Sequence, residues 1–263
     1  AAAAAPSLGL IGQKPVLHDP TLDPSIRRMS SMKEISKAAR PGDVIMTTKP
    51  HGSFWKSVIK PLSGSEFYHV QPVVGRSGGV GTTSSAGYFS GDDYKKDTLR
   101  QLQEQAPTIP AHMKEQGYKD VLLLRPKKKL TPQQIEAYVK ENLARAKSPY
   151  NNLNAVGTWL HDTFVPKIPG LERSKNAPVC KGGVCSSAPA MAYNKAGLPI
   201  VKGKAARNAF PNDFLRSDAL KPVGAFMSDE YKTSPAMRRA MPYLSRGALG
   251  AALAGGVYLG AQE

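Results

Sequence analysis

Two cysteines and five histidines are the side chains here most suited to nucleophilic chemistry. Cys180 and Cys185 sit in the run Cys-Lys-Gly-Gly-Val-Cys. A secreted disulfide scaffold would carry more cysteines. A zinc site would need a second half, and no other Cys or His pair stands at ligand spacing. A local disulfide and a reactive thiol with a separate histidine both remain open.

Thiol chemistry needs the thiolate, which a helix N-terminus and a nearby imidazole both favour. Gly182-Gly183 lets the chain turn sharply before Cys185, and Ala188, Met191 and Ala192 then follow at helical spacing. Cys185 would open that helix, where backbone N–H groups at Cys185 and Ser186 could hold a developing oxyanion. Cys180 lies in the preceding loop. The plainer reading of Cys185 is a small buried hydrophobe.

Among candidate bases, His18 falls in an arm, His51 and His112 in loops, and His161 at the end of an amphipathic helix. His69 falls in a strand, Tyr68-His-Val-Gln-Pro-Val-Val74. Strand alternation places His69, Gln71 and Val73 on one face. A strand holds an imidazole rigidly, as a base requires. Pro72 inside that strand predicts an edge or a bulge.

The elements that would position these groups are predicted as follows. An extended arm covers residues 1–31, a folded domain 32–230 and a tail 231–263. Within the domain the expected strands are 43–48, 67–75, 79–86, 119–126 and 220–227. Expected helices are 32–40, 53–62, 92–105, 131–147, 151–164, 185–196 and a short turn at 211–216. Thr131 is the expected N-cap of its helix, with Pro132 at the first helical position.

Several of these segments fall in an order that resembles the permuted NlpC-type papain-like hydrolases, the YiiX-like relatives of the lecithin:retinol acyltransferase group. They are Gly42-Asp43-Val-Ile, Tyr68-His69-Val70, Leu124-Arg125-Pro126 with Leu130-Thr131-Pro132, and Pro149-Tyr150-Asn151. Cys185-Ser186 through Tyr193 and Gly197, and Pro211-Asn-Asp213-Phe214, complete the set. The resemblance implies an α+β papain-like, circularly permuted domain, with a small antiparallel sheet packed on helices. It implies Cys185 as nucleophile and His69 as base. The family usually places a third polar residue after the base strand; here that stretch is Thr82-Thr-Ser-Ser85-Ala86. Ser85, Thr83 or Gln71 would then orient His69. The resemblance implies a cell-wall peptide or an acyl ester as substrate, and no cofactor or metal.

The net charge of +16, from 36 Lys+Arg against 20 Asp+Glu, attracts polyanions without choosing among them. RNA-binding aromatics, a recognition-helix pattern, P-loop or dinucleotide glycines and internal repeats are all missing. Nucleic acid would therefore be held only by non-specific charge. The opening Ala-Ala-Ala-Ala-Ala-Pro lacks the basic and apolar regions of a signal peptide. Residues 234–261 pair a basic amphipathic stretch with small residues at Gly247, Ala251 and Gly255. They predict contact with a membrane or with a protein assembly. A second reading follows: a non-catalytic component of a larger assembly that keeps the fold, such as a phage virion or cell-envelope protein.

Overall fold

The computed structural model describes residues 26–48, 67, 69–84, 89, 96–147, 185–202 and 205–227. It is α+β. The strands are β1 (Val44–Thr47), β2 (His69–Ser77), β3 (Val80–Thr83), β4 (Val121–Pro126) and β5 (Leu220–Phe226). The helices are α1 (Met32–Ala38), α2 (Leu99–Gln105), α3 (Ile109–Gln116), α4 (Pro132–Ala146), α5 (Ser187–Lys195) and α6 (Pro211–Leu215). A 3-10 turn covers Ala206–Asn208. The expected helices at 53–62 and 151–164, Cys180, Ser85 and the tail from 231 lie outside the described residues. No helix among the described residues is long and apolar enough to cross a membrane.

The sheet runs β3-β2-β1-β4-β5, and every neighbouring pair is antiparallel. β1 is central and fully buried, which is why it reads as unbroken apolar sequence rather than alternation. One face carries Val44, Met46, Val70, Leu122 and Leu124 against Tyr138 of α4 and Ala190, Ala192 and Tyr193 of α5. The other carries Ile45, Val73, Val121 and Leu123 against Ile35 and Ala39 at α1 and Ile109 and Met113 of α3.

β2 is interior, yet it contains a proline. Val73 N–H donates to Asp43 O and Gly42 N–H to Val73 O, so residue 73 points its backbone at β1 and residue 72 points away. The N–H that Pro72 lacks would face β3. There the ladder shifts register between Val73 and Gly75, and Thr83 Oγ1 donates to Pro72 O at 2.7 Å. The expected bulge is present, beside the proline.

The residues quoted for the family resemblance meet at the start of β1. Asp43, 2% exposed, receives Arg125 Nε and Nη2 at 2.8 and 2.7 Å and the Arg40 N–H at 2.9 Å. Tyr138 Oη donates to Asp43 O and Tyr193 Oη to Gly42 O. Gly42 has φ +94°, and a Cβ there would stand 3.0 Å from Leu130 Cδ1, so only glycine fits.

The end of the N-terminal arm joins the domain. Met29 N–H donates to Ala225 O and Ala225 N–H to Arg27 O, forming a parallel bridge on the outer edge of β5. Ile26 and Met29 are buried.

One expectation is corrected. Residues around His112 were expected to form a polar loop; they form α3, with Pro110 in its first turn and Gly117 at φ +65° closing it. Its buried stripe is only Ile109, His112 and Met113, too narrow to stand out as a helical period.

Candidate active site

Cys185 lies just ahead of α5 and is buried, 8% exposed. It is not part of a disulfide. The small residues Ala188, Ala190 and Ala192 bring α5 close to its neighbours, and α4 is the helix it packs against most. Ser186 occupies the N-cap position but gives no side-chain cap. Its hydroxyl donates to Ala209 O instead, at 2.5 Å. Pro189 carries no N–H, so the amide hydrogens of the first turn are those of Ser187 and Ala188.

His69 is the first residue of β2 and pairs with Thr47. Its ring stacks on Tyr118, with centroids 5.2 Å apart and planes 19° from parallel. His69, Gln71 and Val73 share a face, as expected, and it is the α3 face of the sheet. The body of α5 packs on the opposite face, over Met46 and Val70. Gln71 does not pair with His69. Its Nε2 lies 2.7 Å from His112 Nε2, while Gln71 Oε1 and Thr47 Oγ1 are buried with no hydrogen-bond partner among the described residues. The Thr83 hydroxyl is taken by Pro72 O.

His112, 2% exposed, and Tyr118 complete the cluster, their rings 6.4 Å apart and tilted by 52°. Beside them Thr48 Oγ1 donates to buried Asp120. Sequence reasoning missed both His112 and Tyr118. The signal for His112 was the Ile109, His112, Met113 spacing between a Thr-Ile-Pro start and a Gly117 stop. Among the described residues, no three or more His, Cys, Asp or Glu side chains gather as a metal site. An open groove of about 420 Å³, lined by Glu141, Met191, Lys195 and Arg207 among others, lies at the C-terminal half of α5, away from Cys185.

Burial holds the His112 imidazole below its ordinary range; Glu115 pulls weakly the other way. The neutral ring accepts the Gln71 amide hydrogen at Nε2. A base with a lowered folded pKa is unpenalised above the unfolded value of about 6.5. Its contribution to stability is lost as pH falls through 6.5 toward the folded value. The melting temperature should therefore drop between pH 7.5 and 5, and His112→Gln should flatten that drop. Identical slopes in parent and variant would contradict the assignment.

The chain matches no protein-family model, and no curated protein matches its sequence.

Proposed function

We propose that this chain is a cysteine hydrolase of the papain-like, circularly permuted NlpC type, acting on cell-wall peptides or acyl esters. Cys185 is the nucleophile and His69 the base. His69 takes the thiol proton, and the thiolate sulfur bonds the carbonyl carbon of an amide or ester. Backbone N–H groups at Cys185 and Ser186 hold the oxyanion. The imidazolium returns the proton to the departing amine or alcohol. Water then attacks the acyl-enzyme, giving its proton to His69 and releasing the acid.

The observation that carries this reading is a buried cysteine outside any disulfide, at the start of a helix with no side-chain cap. A match of lengths supports it. Tyr193 anchors α5 at Gly42, which pairs with Val73, and α5 also touches β2. From that anchor Cys185 is eight residues back, the last two ahead of the helix, about 12 Å at helical rise. His69 is four residues back along β2, about 13 Å. Were α5 to run parallel to β2, Cys185 would come to the end of the sheet that holds His69. The motif contacts Asp43–Arg125 and Tyr193–Gly42 add support, since segments chosen for their resemblance bind one another.

A second reading, a non-catalytic component of a larger assembly, is favoured by one observation: the His69 ring leans on Tyr118, on the face away from the body of α5. Iodoacetamide labelling separates the two, with mass spectrometry of the peptides distinguishing Cys185 from Cys180. The hydrolase reading expects Cys185 to label with a midpoint well below the ordinary thiol value of about 8.5, and His69→Ala to move it up. Labelling no faster than free cysteine in both proteins establishes the structural reading instead.

A further inference from the structure

The two ends of the sheet differ in what they carry. His69 pairs with Thr47, which pairs with Val121, and these residues mark the end that holds the proposed base. At the other end β4 runs out into Lys127, Lys128 and Lys129, all exposed. The turn into β5 lies beside them, since Lys127 N–H donates to Ala219 O at 2.8 Å. That turn and the strand after it carry exposed Arg216 and Lys221. Lys202 reaches the same turn and binds Asp218 at 2.7 Å. Lys202, by hydrogen bond and charge, and Lys127, by charge alone, hold the Asp218 carboxyl below its ordinary range. Both ammonium groups therefore stand around it. Asp218 is the one carboxylate in segments 127–130 and 216–221.

The lysine turn is fixed at both ends. Lys127 is tied to Ala219, Leu130 is buried, and Thr131 caps α4, whose first turn adds the positive end of a helix dipole. Exposed cations continue across the same end of the sheet: Arg76 near the end of β2 and Arg40 ahead of β1. From β2 to β5 is three strand spacings, about 14 Å. Five of the six cations gathered near Asp218 are lysines, hydrated point charges on flexible stems. No aromatic side chain lies in 127–130 or 216–221 to stack on a base. Clustered lysines of this kind suit a diffuse field of lipid phosphates.

We infer that this end of the sheet docks the protein on an anionic lipid surface, through the phosphates of the headgroups. Val121 and Lys127 are six residues apart along β4, about 20 Å, so docking holds the His69 end off the surface. That orientation deepens the hydrolase reading and rests on it: the substrate is a wall peptide beyond the lipid, not an acyl ester within it. The docking itself does not depend on His69 being a base.

The test uses the full chain and its sedimentation with mixed phosphatidylcholine–phosphatidylglycerol vesicles. Lys127→Gln, Lys128→Gln and Lys129→Gln together should weaken binding on the order of 100-fold. Lys96→Gln, Lys114→Gln and Lys140→Gln remove the same charge from exposed positions elsewhere, and should weaken it by less than about threefold. Neither set alters a buried side chain, so both should melt with the parent. On the vesicles, amide hydrogen exchange should slow in 127–130 and 216–221 and stay unchanged in 114–120, beside His69. Equal losses in the two triple variants, or protection at 114–120, overturn the inference. Loss of duplex-DNA binding in the first triple variant, with vesicle binding unchanged, makes the face a nucleic-acid surface instead. Cleavage of the ester lipids of the bound vesicles overturns the orientation. Full activity of His69→Ala on peptidoglycan overturns the hydrolase reading, and the vesicle results still decide the docking.

Discussion

Cys185→Ala should abolish hydrolysis of purified peptidoglycan or acyl esters, with a loss on the order of 10⁴–10⁶-fold. The loss is large because the described neighbour cannot take over. Ser186 is adjacent, but its hydroxyl is bonded to Ala209 O. Cys185→Ser should be nearly as inactive, since a hydroxyl at that position ionises far less readily than a thiol. His69→Ala should lose on the order of 10²–10⁴-fold, as befits proton transfer. Thermal unfolding should hardly change in Cys185→Ala, because alanine fills most of the same small site. Parent-level turnover by either alanine variant ends the hydrolase reading, and a folded, inactive pair sustains it.

Arg125→Met should destabilise the domain by about 3–5 kcal/mol, because it leaves a buried carboxylate without its partner. Asp43 is 2% exposed. Burial raises its pKa above the ordinary carboxylate value, with Arg125 pulling the other way. The bond to Asp43 in turn holds the Arg125 guanidinium above its own. An acid whose folded pKa is raised stabilises the fold most below the unfolded value and costs stability as pH rises through the folded one. Without Arg125 the folded value climbs further, so the decline extends to higher pH. Urea midpoints at pH 4 and pH 7 should diverge more in Arg125→Met than in the parent. Adding Asp43→Asn should recover part of the loss. A change below about 1 kcal/mol would show that the pair is not the anchor described.

Much of the scaffold was legible. Thr131 and Pro132 announce α4, and the capping box with Gln134 forms as such signals imply. Val121 to Pro126 reads as a buried strand because both its faces are covered. The helix after Cys185 and the strand bearing His69 were also readable from small and β-branched residues in runs. Two things were not. α3 buries only a three-residue stripe, so its periodicity is faint and His112 passed for a loop residue. Tyr118 reaches His69 through the fold, from the turn between α3 and β4. Ser85, Thr83 and Gln71 stand out by hydrogen-bonding type, whereas a ring that stacks through its face leaves no such trace in the sequence. The Gly42-Asp43 and Arg125-Pro126 motifs were legible as patterns, but their common cause, one buried ion pair, needed the sheet order that puts β1 beside β4.

The bridge between residues 27–29 and Ala225 has a consequence in time. The arm docks on the last strand of the described fold, so nothing exists for it to dock on until β5 has been made. At about 5–20 residues per second, that strand leaves the ribosome roughly 10–40 s after Met29. Through that interval Ile26 and Met29 stay uncovered, and β5, on arrival, presents a bare edge until they return to it. The beginning of the described chain is thus the closing step of its assembly, and a delay there leaves the sheet open to a stray strand.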